Sequence, residues 1–365
     1  MNKIKVLNID DSPIYRQVYR EIISSDPEFE YCGYASNGRI AIEKIPLVKP
    51  DIITLDIEMP EMDGIQTLQY IMEHFPTPVI MISSFTKDGA EITFKALELG
   101  AVDYIQKPEV KSLIENVRLL EDIMIAKLKV FAHFQLPNKR QFKQVAEDDG
   151  LPVIGGLPSF GIPKMISKPI DAICIGSSTG GTVALTNILP KINKNIGVPI
   201  FVVQHMPHLY TNSFAHRLDN QCGLHVVEAQ GGETPEPNTV YIAQGGFHMQ
   251  VNRKSHYSDE KVISVRDFDS GKSHKPSVDV LFDSAADAYG SRLMSIILTG
   301  MGSDGAVGTA KIKDCGGYTI AQDEESSVIF GMPGSAIKTG KVDRIVPLGN
   351  IADFVNDFIK NSNKK

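Results

Sequence analysis

The chain has 365 residues, 42% of them hydrophobic and 22% charged, and a formal net charge of −7. That length accommodates two domains with cores of their own, and the balance is that of an ordinary globular protein. With no domain-wide basic excess a nucleic-acid partner is not expected; with no apolar run of bilayer length and no apolar signal core after Met1-Asn2-Lys3-Ile4, a cytoplasmic chain without membrane insertion is expected.

Residues 4 to 120 alternate strand-like and helix-like stretches: Ile4 to Ile9, a helix from Pro13, then Tyr31 to Ala35, Ile52 to Leu55, Val79 to Ile82 and Val102 to Ile105. Uncharged strands alternating with helices predict a doubly wound parallel sheet. Acids follow the strands. Asp10 and Asp11 come after the first strand and Asp56 after Ile52-Ile53-Thr54-Leu55, while Ser83 and Lys107-Pro108 close two others. Three carboxylates at one sheet edge repel one another unless a divalent cation sits among them, and an all-oxygen set suits Mg²⁺. A carboxylate beside Mg²⁺ and a lysine can accept a phosphoryl group, with Asp56 the expected acceptor and a hydroxyl such as that of Ser83 placed to bind the product. A merely acidic surface would account for the carboxylates but not for Ser83 and Lys107-Pro108.

Residues 1–124 resemble a response-regulator receiver domain. The resemblance rests on Ile9-Asp10-Asp11-Ser12, on Leu55-Asp56-Ile57-Glu58-Met59-Pro60-Glu61-Met62-Asp63-Gly64, on Ser83-Ser84 and on Lys107-Pro108. It implies that Asp10, Asp11 and Asp56, with the Glu58 backbone carbonyl, hold Mg²⁺. It further implies that a partner histidine kinase phosphorylates Asp56, and that Ser83 and Tyr104 form the switch pair beside Lys107. Residues 125–168 pass from charge-segregated sequence to a run punctuated by Pro152, Gly155, Gly156, Pro158, Gly161 and Pro163, which reads as a linker. Its first part could continue the last receiver helix.

In residues 169–360 the apolar run Ala172 to Ile175 breaks at Gly176, and a helix-compatible run resumes after Gly181. The turn between them fits Gly-x-Ser-x-Gly with Ser178 central, which lifts a hydroxyl out of a sharp bend. A serine needs a base and something to orient that base. His205 follows the strand-like Pro199 to Val203, and Asp304 lies in the glycine-rich loop after Ser295 to Leu298. In a parallel sheet all three fall at the carboxyl edge. The order Ser, His, Asp differs from that of α/β-hydrolases, so the triad would be a convergent variant. Two other outputs are open: a nucleotide-binding module, weakened by the missing P-loop ending and missing G-x-G-x-x-G spacing, and a protein-interaction module, which needs no serine turn. The four cysteines are scattered, with no metal-ligand spacing, and are expected to be buried thiols.

This second block resembles the catalytic domain of the chemotaxis protein-glutamate methylesterases, the CheB family. The carriers are Ile175-Gly176-Ser177-Ser178-Thr179-Gly180-Gly181, Gln204-His205-Met206-Pro207, His274-Lys275-Pro276-Ser277-Val278-Asp279, Leu298-Thr299-Gly300-Met301-Gly302-Ser303-Asp304-Gly305 and Phe330-Gly331-Met332-Pro333-Gly334. The resemblance implies Ser178 as nucleophile, His205 as base, Asp304 as its partner and the Met301 amide in the oxyanion hole. It also implies methyl-accepting chemotaxis receptors as substrate, glutamine deamidation as a second activity, and no cofactor in this domain. Lys275 and Gln244 stand where the family usually has arginine and proline.

Overall fold

The computed structural model describes residues 3–84, 86–108, 113–132, 169–255, 258–272 and 274–362. The chain divides into two compact units, Met1–Ile162 and Pro163–Lys365.

In the first unit five strands, β1 (Ile4–Ile9), β2 (Phe29–Ala35), β3 (Ile52–Asp56), β4 (Val79–Ser83) and β5 (Asp103–Gln106), pair in the order β2-β1-β3-β4-β5. Every pair is parallel. Helices α1 (Pro13–Ser25), α2 (Gly38–Val48), α3 (Gly64–His74), α4 (Lys87–Glu98) and α5 (Leu113–Phe131) connect or follow them. α1 packs beside α5, and α3 beside both α2 and α4, so both sheet faces are covered. That is why Ile52, Ile53, Thr54 and Leu55 are consecutive in sequence yet all buried: a strand sandwiched between helices has no solvent face. The strand order reverses between β1 and β3, and Asp10 and Asp56 stand at the carboxyl side of that reversal. α5 runs to Phe131, so the receiver's last helix continues past residue 124; of the expected linker 125–168, residues 133–168 lie outside the described residues.

The second unit has seven parallel strands in the order β14-β13-β12-β6-β7-β9-β8. They are β6 (Ala172–Ser177), β7 (Ile200–Gln204), β8 (His225–Glu228), β9 (Thr239–Ile242), β12 (Leu293–Ile297), β13 (Tyr318–Gln322) and β14 (Arg344–Val346). The helices are α6 (Gly181–Ile188), α7 (Tyr210–Gln221), α8 (Val278–Tyr289), α9 (Ala306–Asp314), α10 (Gly331–Lys338) and α11 (Leu348–Ser362). An antiparallel ribbon, β10 (His248–Arg253) with β11 (Lys261–Arg266), was not expected from the sequence; it packs against α8. The chain enters the sheet at β6, builds outward through β7 and later returns to the other side at β12, which makes the β6/β12 boundary the switch point of this sheet. The core beneath it is formed by Phe201, Leu281, Phe282, Leu293 and Ile297, all fully buried.

No helix among the described residues is long and apolar enough to cross a membrane. All four cysteines are free thiols, but only Cys174 is buried and Cys315 is exposed, which corrects the expectation of burial for the set.

Candidate active site and phosphoacceptor site

Ser178 is the first residue past β6, half-buried, in a turn that Gly180 closes with φ of 78° before α6 begins. A side chain at Gly180 would meet both that left-handed conformation and Val328, whose Cβ would lie 2.7 Å from a Cβ there. The Ser178 amide donates to the Thr299 carbonyl at 3.1 Å and its carbonyl accepts from Gly181 at 2.8 Å, so the backbone of the turn is fixed on both sides.

Ser177 and Gln204 are register partners on β6 and β7, and the His205 amide donates to the Ser177 carbonyl at 3.0 Å. Ser178 and His205 therefore leave neighbouring strands side by side, roughly 4.8 Å apart as adjacent strands are. Gln204 secures both. Its Oε1 accepts from the Ser177 hydroxyl at 2.7 Å, and its Nε2 donates to the carbonyls of Ser178 at 2.9 Å and His205 at 3.0 Å. The sequence places Gln204 at a strand end within the Gln204-His205-Met206-Pro207 motif but gives it no role; an amide side chain closing an apolar strand next to a candidate base was the available signal.

His205 Nε2 lies 2.8 Å from Asp304 Oδ2. The same carboxylate accepts from the Ser277 hydroxyl at 2.9 Å and from the amides of Val278 at 2.7 Å and Asp279 at 3.0 Å. Ser277 is the N-cap of α8, so Asp304 occupies the positive end of that helix. Burial alone would raise the Asp304 pKa; the hydrogen bond and charge of His205 and the two amides more than offset this and hold it well below the usual carboxylate range. An ionised carboxylate only accepts, so the proton on the His205 ring belongs on Nε2 and Nδ1 carries the free lone pair. Nδ1 is buried and has no hydrogen-bond partner among the described residues. The ring is held flat against His274, with centroids 4.3 Å apart and planes 1° from parallel. Burial, and then the neighbouring His205, lower the His274 pKa.

Gly300 lies against the serine: a Cβ there would fall 2.8 Å from Ser178 Cβ and 2.3 Å from Met332 Sδ. The Met332 amide donates to the Gly300 carbonyl at 2.8 Å. A trans peptide points its N–H opposite to its carbonyl, so this bond orients the Met301 N–H away from Met332. Among the described residues that N–H has no acceptor.

In the first unit, oxygen atoms of Asp10, Asp11 and Asp56 lie within 4.8 Å of one another, with Asp10 and Asp56 buried and Asp11 exposed. Lys107 Nζ reaches Asp56 at 2.7 Å and Asp10 at 3.0 Å, over the Tyr15 ring. One lysine does not balance the cluster. Burial first, then the Asp10 charge, push Asp56 up to about 6 despite Lys107, and burial raises Asp10 as well. Oxygen-only donors that are both crowded and under-neutralised fit Mg²⁺. Glu58, two residues past Asp56, turns its carboxylate to the Ser84 hydroxyl at 2.9 Å, leaving its backbone carbonyl as the atom the resemblance assigns to the ion. The Ser83 hydroxyl donates to the Gly89 carbonyl at 3.1 Å and accepts from Thr93 at 2.7 Å, so it is tied to α4. Tyr104 is buried.

The CheB methylesterase family model matches residues 173–355, and the response regulator receiver domain model matches residues 6–118. A protein-glutamate methylesterase/protein-glutamine glutaminase of Pyrococcus abyssi is 44% identical over 97% of this chain and 93% of its own length. A protein of Carboxydothermus hydrogenoformans with the same description is 41% identical over 99% of this chain and 100% of its own length. The chain belongs to the CheB methylesterase family. The CheB methylesterase catalytic domain of Thermotoga maritima, a solved structure, is 41% identical, covers 52% of this chain and 98% of its own, and superposes with a TM-score of 0.49. Of the two residues expected to depart from the family's usual pattern, Lys275 pairs with Asp267 at 2.6 Å, a contact a single ammonium can make, and Gln244 accepts from the Phe247 amide through its backbone at 3.3 Å. Neither is bonded to Ser178, His205 or Asp304 among the described residues.

Proposed function

We propose that the chain hydrolyses glutamate γ-methyl esters, and deamidates particular glutamines, in methyl-accepting chemotaxis receptors, and that phosphorylation of Asp56 by a chemotaxis histidine kinase controls the rate. The observation that carries the reading is the Asp304–His205 hydrogen bond at 2.8 Å, formed on the strand beside the Ser178 turn. Ser178 Oγ attacks the γ-carbonyl while its proton passes to His205 Nδ1, and Asp304 stabilises the imidazolium without taking a proton. The Met301 N–H, with the amide of Thr179 next to the nucleophile, receives the developing oxyanion. Methanol or ammonia departs with the proton returned from Nδ1, and water then hydrolyses the acyl-enzyme by the same steps.

In the receiver Asp10, Asp11, Asp56 and the Glu58 carbonyl would hold Mg²⁺, which when bound neutralises phosphoryl oxygens. Asp56 is the acceptor, Lys107 pairs with the transferred group, and Ser83 exchanges its bond to the Gly89 carbonyl for one to the phosphate. Tyr104 is the second member of the switch pair, its ring repacking when Ser83 leaves α4.

Release of methanol from methyl-labelled receptor tests the reading. The parent chain should release it, faster with a small-molecule phosphodonor and Mg²⁺, and Asp56→Asn should hydrolyse at the basal rate without that acceleration or any phosphate incorporation. No methanol from the parent under either condition sinks the substrate assignment; acceleration surviving in Asp56→Asn sinks the control.

A further inference from the structure

No side chain of residues 322–332 takes part in the chemistry above, yet Gln322, Ile329 and Met332 are bonded to the strand end that leads to Met301. Gln322, the last residue of β13, is fully buried. Its Oε1 accepts from the Thr299 amide at 2.8 Å, and its Nε2 donates to the Ser326 carbonyl at 2.7 Å, which curls the following loop back over the strand. Thr299 extends the brace in two directions. Its hydroxyl donates to the Thr179 carbonyl at 3.0 Å and accepts from the Ile329 amide at 2.9 Å, while its carbonyl accepts from Ser178 at 3.1 Å. The Gly300 amide then donates to the Ile329 carbonyl at 3.0 Å, one peptide before the Met301 N–H.

We infer that Gln322 and Thr299 are positioning residues for the oxyanion donor: Gln322 holds the Thr299 amide and the returning loop, and Thr299 ties both to the nucleophile turn. The inference rests on the reading of Met301 as that donor. Every polar atom of the Gln322 amide is used, so an apolar side chain of similar length leaves the Thr299 N–H buried without a partner and takes the donor from the part-buried Ser326 carbonyl. The peptide from Gly300 to Met301 then loses its fixed direction. A donor aimed at the oxyanion acts in the transition state and little in the ground state, so its misplacement lowers kcat and spares KM. Gln322 is not bonded to His205 or Asp304 among the described residues, so the pH dependence of kcat/KM stays that of the parent.

The experiment is steady-state hydrolysis of methyl-labelled receptor by the full chain. Gln322→Met should lower kcat by about 10- to 100-fold, a part of what losing one oxyanion donor costs, with KM within about twofold. Gln322→Glu still offers the Thr299 amide an acceptor in either protonation state and should recover kcat to within about fivefold of the parent. An unchanged kcat in Gln322→Met, or equal losses in the two variants, overturns the inference. If the position-322 variants do not fold, Thr299→Val reads the same brace: kcat must fall with KM held, and an unchanged kcat overturns it. Ser178→Ala separates the two levels. Activity surviving there removes the underlying mechanism, whereas its abolition together with an unaffected Gln322→Met removes only the brace.

Discussion

Both units bring acids to the carboxyl edge of a parallel sheet, and they treat those acids in opposite ways. Asp304 is met by a hydroxyl, two amides at a helix N-terminus and an imidazole N–H, and its pKa is driven down. Asp56 and Asp10 are met by one ammonium, by the Ser12 amide on Asp10 alone and by each other, and theirs are driven up. Burial opposes charge in both places, so burial does not decide the difference; the count of donors facing the carboxylate does. A satisfied carboxylate is a fixed charge, suited to orienting a base through many turnovers. An under-neutralised pair is a site waiting for positive charge and suited to being modified.

The comparison breaks most visibly at the catalytic edge. Ser178→Ala should lower hydrolysis by about 10⁶-fold with the fold intact, and the double variant with His205→Ala should lose little more, because the group acts as a unit. Losses that multiply instead would show two residues working separately. Asp304→Asn should reduce kcat by roughly 10⁴-fold, since an amide cannot accept from every donor around it and the imidazole loses its orientation. It should also cost stability, about 1–3 kcal/mol for a donor left unsatisfied. A variant with near-parent kcat would detach Asp304 from the mechanism.

The opposite pKa directions give pH profiles of opposite sign. Asp56 has a folded value of about 6, above the unfolded value of about 3.9. The native state therefore binds the extra proton between those values, and receiver stability should fall as pH rises across that window, on the order of 2–3 kcal/mol, then level off. Asp56→Asn should remove the slope and leave the Mg²⁺-free chain at neutral pH at least as stable as the parent, and saturating Mg²⁺ should flatten the slope in the parent. Asp304 works the other way: its contribution is present above the unfolded value and is lost as pH falls through its lowered folded value. Urea unfolding across pH 3 to 7 checks the Asp56 slope and the onset of the Asp304 loss below about pH 4, and a receiver whose stability rises from pH 4 to 6 would refute the crowding argument. The smallest effect concerns one donor. Ser277→Ala removes both a hydrogen bond to Asp304 and the cap of α8, and should cost about 1 kcal/mol in thermal stability with only a several-fold loss of kcat. An effect as large as that of Asp304→Asn would mean the cradle depends on the hydroxyl and not on the amides.

What the sequence determined by itself was the set of strand ends and the side chains placed on them. Ile52 to Leu55 followed by Asp56, Ala172 to Ile175 leading to Ser178, and Ser295 to Leu298 leading to Asp304 are local patterns, because a buried parallel strand is a short uncharged run and the carboxyl edge follows from its direction. What only the tertiary structure decided is which atoms meet at those ends. The sequence separation from Ser177 to Gln204 is 27, from Ser277 to Asp304 also 27, and from Thr179 to Thr299 it is 120. Those partners are set by the strand order β13-β12-β6-β7, which periodicity does not encode. The buried His205 nitrogen without a partner among the described residues, the helix end that holds Asp304 ionised and the single lysine that leaves Asp56 crowded all depend on it. A hydrogen bond requires donor and acceptor within about 3 Å at the right angle, and only the assembled sheet supplies that geometry.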